Sequence, residues 1–165
     1  MKQPIPIHVG MADLVVSKHP ATLTALGLGS CIGLVIFDQL SRTAGMAHIM
    51  LPDSSEAHKV SRPGKFADTA VPLLLDELYK LGTVKAQLRA KMAGGARMFP
   101  VSGKADHAIF SVGNRNIEAT TRMLGAAGIR LVASDTGGSK GRSVEFSTET
   151  LKFAVKILGT GTNEI

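Results

Sequence analysis

The sequence predicts an α+β or layered α/β domain with mixed, largely antiparallel sheets and about two main helices. Three observations carry this expectation. About eight short segments read as strands, two longer segments carry helical periodicity, and the two kinds fall in separate blocks rather than in a regular βαβ alternation. The 165 residues, 44% of them hydrophobic and 19% charged, suffice for one domain that buries roughly 70% of its unfolded surface. That domain is assigned to residues 1–158. Residues 159–165, Gly159 to Ile165, read as a loose tail.

The first strands are Leu14 to Val16, Leu23 to Leu28, Cys31 to Phe37 and Ala44 to Leu51. Cys31 to Phe37 is nearly all apolar, whereas Val84 to Met92 alternates apolar and polar residues and predicts a sheet with one wet face. Ile129 to Ala133, Ser143 to Phe146 and Leu151 to Ile157 complete the strands. The first helix spans about Lys65 to Leu81, with Phe66, Ala70, Leu74, Leu78 and Leu81 on one stripe and Gly82 to end it. Pro72 within it predicts either a kink or a break, because proline removes a hydrogen bond and crowds the preceding turn. The second helix spans about Arg115 to Ala126, with Asn114 as N-cap and Gly128 near its end.

Composition excludes several functions. One cysteine and five scattered histidines (His8, His19, His48, His58, His107) cannot form a zinc ribbon or finger, so no metal is expected. The longest apolar run, Ile32 to Phe37, falls far short of the ~20 residues that span a bilayer. The start of the chain lacks the apolar core of a secretory signal. A cytoplasmic protein that is not membrane-inserted, with a reduced thiol, is the expectation. The formal charge of +6 is spread singly along the chain, without a basic block or an aromatic stacking platform. Nucleic acid is therefore not the expected partner, and an acidic protein surface explains the charge better.

Two segments could carry chemistry. In Leu28-Gly29-Ser30-Cys31-Ile32-Gly33 the cysteine stands at a strand mouth flanked by small residues, where the backbone can turn sharply. Exposed N–H groups near Gly29, Ser30 and Cys31 could receive a developing oxyanion. In Gly45-Met46-Ala47-His48-Ile49-Met50-Leu51-Pro52 a histidine interrupts an apolar strand. A lone cysteine or histidine in such a strand is by default a packed core residue. The polar turn Asp38-Gln39-Leu40-Ser41 joins the two strands as a hairpin. If that hairpin is symmetric about its turn, Phe37 lies opposite Arg42 and Cys31 directly opposite His48. Opposed residues point to one face with Cβ atoms roughly 4.5–5.5 Å apart, so thiol and imidazole would meet. A slip of one residue would separate them. Such a pair supports nucleophilic catalysis, with the imidazole taking the thiol proton.

Gly94-Gly95 and Gly137-Gly138 each follow a strand and could form phosphate-binding nests, but neither has the Lys-Ser/Thr ending of a P-loop. Structural turns are the better reading, with Gly94 and Gly95 bordering a substrate groove. His8, His19, His58 and His107 receive no role.

Seven segments then carry a resemblance: Gly27-Leu28-Gly29-Ser30-Cys31, Gly45 to Pro52, Pro63-Gly64-Lys65-Phe66-Ala67-Asp68-Thr69-Ala70, Ala93-Gly94-Gly95-Ala96, Gly113-Asn114-Arg115-Asn116, Asp135-Thr136-Gly137-Gly138 and Gly141-Arg142-Ser143-Val144-Glu145. Together, in this order from about Val9 to Ile157, they resemble the CheD family of chemoreceptor glutamine deamidases. The resemblance implies a layered α/β sandwich, similar around its site to toxins that deamidate Rho-type GTPases. It implies hydrolysis of selected glutamine side chains on methyl-accepting chemotaxis receptors, with Cys31 as nucleophile, His48 as general base and acid, and no cofactor. It also implies binding to a CheC-type phosphatase. The family carries a threonine six residues before its cysteine, where this chain has Ala25, with Thr24 beside it. Either Thr24 or a backbone carbonyl is left to orient His48. A binding module that mainly stimulates the CheC phosphatase, and a cysteine peptidase using the same pair, are the competing readings.

Overall fold

The computed structural model describes residues 4–55, 57–98 and 112–165. The described residues form ten strands: β1 (Ile7–His8), β2 (Leu14–Ser17), β3 (Thr22–Leu28), β4 (Ile32–Asp38), β5 (Ala44–Ile49), β6 (Leu88–Gly94), β7 (Arg130–Thr136), β8 (Arg142–Ser147), β9 (Phe153–Ile157) and β10 (Gly161–Glu164). The helical pattern builds α1 (Ala67–Lys80) and α2 (Val112–Ala127). One sheet has the order β1-β3-β8-β9-β10 and the other β2-β5-β4-β6-β7. All pairs are antiparallel except β1 with β3 and β6 with β7. This is the layered α+β architecture that the sequence predicts.

The central strand β4 shows why three layers form. Every one of its residues is buried, which is why it reads as a continuous apolar run. Ile32, Leu34 and Ile36 pack with Ala70, Leu74 and Leu78 of α1 and with Ala119 and Leu124 of α2. Val35 and Phe37 point the other way and pack with Leu23, Ala25, Val144, Phe146, Phe153 and Val155 of the first sheet. The rings of Phe37 and Phe146 lie 5.0 Å apart and those of Phe146 and Phe153 6.4 Å apart, spacings at which tilted and edge-on aromatic pairs attract.

Helix α1 runs unbroken through Pro72. Pro72 is on the solvent side, where the Asp68 carbonyl deprived of its helical partner can turn to water. Both helices end as glycine predicts. Gly82 (φ 91°) and Gly128 (φ 71°) take the left-handed conformation. Thr83 N–H reaches back to the Leu78 carbonyl and Ile129 N–H to that of Leu124, the Schellman closure.

Four expectations are corrected. Lys85–Gln87 is a 3-10 turn, so β6 starts only at Leu88. The wet face expected on β6 is turned toward the first sheet: Lys91 donates to the main-chain oxygens of Leu151 (2.7 Å) and Ile165 (2.8 Å). Its burial lowers the ammonium pKa. Asn114 lies inside α2, which already includes Val112, rather than capping it. Residues 159–165 are not a loose tail: Gly161–Glu164 pairs with β9, and Ile165 exchanges both backbone hydrogen bonds with Phe153. The side chains of β10 are all exposed, so main-chain bonding, with one exposed ion pair between Lys152 and Glu164, makes this an edge strand and no apolar pattern announces it.

Candidate active site

The mouth of the β4–β5 hairpin places Cys31 and His48 on one face, though not in the register the sequence suggests. Phe37 lies opposite Ala44 rather than Arg42, and Gly33 rather than Cys31 lies opposite His48. The turn is responsible. Asp38 and Thr43 close it (Asp38 N–H to the Thr43 carbonyl, 2.9 Å), leaving four residues in the loop. The Asp38 carboxylate accepts the N–H groups of Leu40 (2.8 Å) and Ser41 (2.9 Å), and Arg42 adopts φ 58°. A displacement of two residues, unlike a displacement of one, keeps every side chain on its face. Cys31 packs against the inter-sheet cluster. His48 alternates with Ala47 and Ile49, which face the helices, and so shares the inter-sheet side with Ala44 and Met46. The two are diagonal neighbours, a relation that spans about 7–8 Å between backbones and lets long side chains meet. Gly33 between them adds no side chain.

His48 is 1% exposed and held on three sides by the loop between β1 and β2. Its N–H donates to the Asp13 carbonyl and its carbonyl accepts from Ala12 N–H, both at 3.0 Å. Its Nδ1 lies 3.3 Å from the carbonyl oxygen of Val9. A carbonyl can only accept, so the neutral ring carries its proton on Nδ1 and presents the lone pair on Nε2. Among the described residues, Nε2 is buried and has no partner. Burial lowers the imidazole pKa, opposed in part by the Val9 bond, and burial raises the Cys31 thiol pKa, opposed in part by its own N–H. Both directions favour the neutral pair over thiolate and imidazolium.

Thr24 and Ala25 are separated by the pleat of β3. Ala25 is fully buried between the sheets, while Thr24 lies on the outer face beside Leu26, Ser143 and Lys156. The backbone of Thr24, not its hydroxyl, reaches the site: its carbonyl accepts the N–H of Val9 at 2.7 Å, the residue whose own carbonyl faces His48.

The backbone around Cys31 is fixed from β6. Gly95 N–H donates to the Cys31 carbonyl (2.9 Å) and Ala96 N–H to that of Gly29 (2.8 Å). Gly94, at φ 115°, passes so close that a Cβ there would strike the Cys31 carbonyl oxygen. The Gly137 N–H donates to the Gly94 carbonyl (2.9 Å), so the N–H groups of Gly95 and Gly137 are spent on turns rather than held out for a phosphate.

Two buried residues of this site have no role in the sequence reading. Arg142, 7% exposed, donates to Asp135 Oδ1 (3.1 Å) and to the Gly137 carbonyl (2.8 Å). Asn116, fully buried in the first turns of α2, donates through Nδ2 to the carbonyls of Ser30 (2.8 Å) and Met50 (2.9 Å). A signal for Asn116 exists in the sequence, since a polar residue on the stripe of Ala119, Thr120 and Leu124 is out of place on a buried helix face. Val9 acts through its carbonyl and leaves no such signal. His107 lies outside the described residues.

Beyond the end of β5 a groove of about 350 Å³ is lined by Leu51, Pro52, Asp53, Lys65, Phe66 and Arg115. It begins next to the site, because Met50 and Ser30 share the amide of Asn116, the residue after Arg115. Among the described residues no three of His, Cys, Asp and Glu gather as a metal-binding set, and no helix is long and apolar enough to cross a membrane.

Fold and site together define a class of layered α+β proteins, two sheets and two helices with a cysteine and a histidine on one face of a strand mouth. Comparison with known proteins narrows it. Residues 50–157 match the family described as CheD chemotactic sensory transduction. The chain is 46% identical over 159 residues to the "Probable chemoreceptor glutamine deamidase CheD" of Clostridium novyi (strain NT), covering 96% of this chain and 97% of that one. It is similar to the same degree, over the same shares, to the protein of that name from Clostridium botulinum (strain Hall). The chain belongs to the CheD family.

Proposed function

We propose that this chain hydrolyses glutamine side-chain amides of chemoreceptors to glutamate and ammonia, with Cys31 as nucleophile and His48 as base and acid. The observation that carries the reading is the lone pair of His48 Nε2, left without a partner on the face that Cys31 shares. In the first half-reaction Cys31 Sγ bonds to the amide carbon while Nε2 takes the thiol proton. The N–H groups of Ser30 and Cys31 are the oxyanion donors, since neither donates to a backbone carbonyl among the described residues. The C–N bond then breaks, Nε2 returns its proton to the leaving nitrogen, and ammonia departs from a thioester. Water adds to the thioester carbon, giving a proton to Nε2. The C–S bond breaks and the thiol is restored. In this reading the Val9 carbonyl, rather than the Thr24 hydroxyl, holds the tautomer. Gly94 and Gly95 border the site, and the groove with Lys65 and Arg115 takes the receptor segment. The setting is cytoplasmic.

Intact-mass analysis of receptor fragments tests this. The protein should add the deamidation increment to glutamine-containing fragments with equimolar ammonia, and Cys31→Ala should lose at least ~10³-fold of that rate at unchanged thermal stability. Retained activity in Cys31→Ala sinks the mechanism, and cleaved fragments would mark a peptidase. The outward-facing Thr24 and buried Ala25, which leave His48 no side-chain hydroxyl from β3, favour a second reading: a module that stimulates a CheC-type phosphatase. Stimulation by Cys31→Ala protein at the wild-type level, with no deamidation by either, would select it.

A further inference from the structure

The β4–β5 ladder ends at the pair Ile32 and Ile49. One step further in the same register Cys31 would face Met50, and an ordinary hairpin would continue pairing there. Instead a side chain from another layer occupies the mouth. The single amide nitrogen of Asn116 lies 2.8 Å from the Ser30 carbonyl and 2.9 Å from that of Met50, so its two hydrogens satisfy one carbonyl on each side of the mouth. Because both acceptors are carbonyls, the amide cannot turn over without setting three oxygens against one another. The same turns of α2 touch the far side of the Cys31 loop: a Cβ on Gly95, whose N–H binds the Cys31 carbonyl, would meet Gly113 and Ile117.

From this geometry we infer that Asn116 is a positioning residue, a wedge that holds the hairpin mouth open at Cys31. It keeps the N–H groups of the Ser30–Cys31 turn out of the ladder and sets the spacing between the cysteine and the strand of His48. Its effect on hydrolysis rests on the proposed deamidase reading; its effect on the thiol does not.

Asn116→Asp, which keeps the shape and replaces the donor by an acceptor, and Asn116→Ala test the inference. Asn116→Ser, still polar and smaller, serves where either is not folded. Cys31 is the only cysteine, so the pH profile of iodoacetamide alkylation reports on it alone. The control is Leu124→Ala, buried in the same helix, which lowers Tm without touching the mouth. The variants should displace the alkylation profile and lower kcat by roughly tenfold to a hundredfold, the scale of a displaced reacting group, with KM changed far less. Leu124→Ala should lose Tm and keep both the profile and kcat. Asn116 variants that behave like Leu124→Ala overturn the inference. A displaced alkylation profile in a protein whose wild type deamidates no receptor fragment supports the wedge and overturns only the receptor reading.

Discussion

Burial acts in opposite directions, and with one result, on the two side chains proposed to react. It raises the pKa of the Cys31 thiol and lowers that of the His48 imidazole, so both directions favour the neutral forms, and in the proposed mechanism the proton moves as the sulfur attacks. Two pH dependences follow. Alkylation of Cys31 should climb with pH through an apparent pKa at or above the ordinary thiol value of about 8.5. In the proposed mechanism hydrolysis needs His48 neutral, and a lowered imidazole pKa places the acid limb below the ordinary histidine value of about 6.5, so kcat/KM should exceed half of its plateau at that pH. Measuring both profiles on one preparation decides the matter. An alkylation pKa near or below neutrality would reveal a preformed ion pair and overturn this account. The same shift bears on folding: between the folded pKa and the unfolded value the unfolded chain binds more protons, so His48 makes the fold less stable as pH falls through that window.

At the scale of elements, legibility followed side-chain burial. The β4 run and the apolar stripe of α1 are readable because burial on a known face leaves its mark on the sequence, and the two exposed helix-ending glycines because a left-handed residue there favours glycine. The hairpin register is not, because it depends on two hydrogen bonds accepted by the Asp38 carboxylate and on one left-handed residue, Arg42. The right face for Cys31 and His48 survived because the displacement was an even number. The β10 edge strand and the Val9 carbonyl were illegible because both work through the main chain. Backbone crowding at the site gives a prediction that separates two kinds of glycine. Gly82 has φ 91° and nothing within 4 Å of a built Cβ, whereas Gly94 has φ 115° and the Cys31 carbonyl in the way. Gly82→Ala should cost only the left-handed strain, about 1–2 kcal/mol, and leave activity intact. Gly94→Ala should cost more, and lower kcat by about tenfold or more as the Cys31 backbone shifts. Denaturant unfolding and steady-state kinetics check both; equal costs and equal activities for the two would refute the role given to Gly94.

For the molecule as a whole, the question is where a charge of +6 is put to use. The groove beside the site is apolar along Leu51, Pro52 and Phe66 and carries Lys65 and Arg115 at its sides. The Arg115 guanidinium stands 3.9 Å from the Asp53 carboxylate with both side chains well exposed. Such a contact is worth at most about 1 kcal/mol and leaves the guanidinium able to exchange partners. Groove cations facing an acidic receptor segment would speed encounter and strengthen binding without entering the chemistry. Lys65→Glu with Arg115→Glu should therefore raise KM by about tenfold, roughly 1.4 kcal/mol, while kcat stays close to wild type. The wild-type KM should itself rise with salt as the screening length shortens from about 10 Å at 0.1 M toward 3 Å at 1 M, and the double variant should lose most of that dependence. Steady-state kinetics on a receptor fragment across a salt series measures both. A wild-type KM that ignores salt, or a double variant that binds as well as wild type, would mean that the positive charge does not steer the substrate and that the groove is not its path.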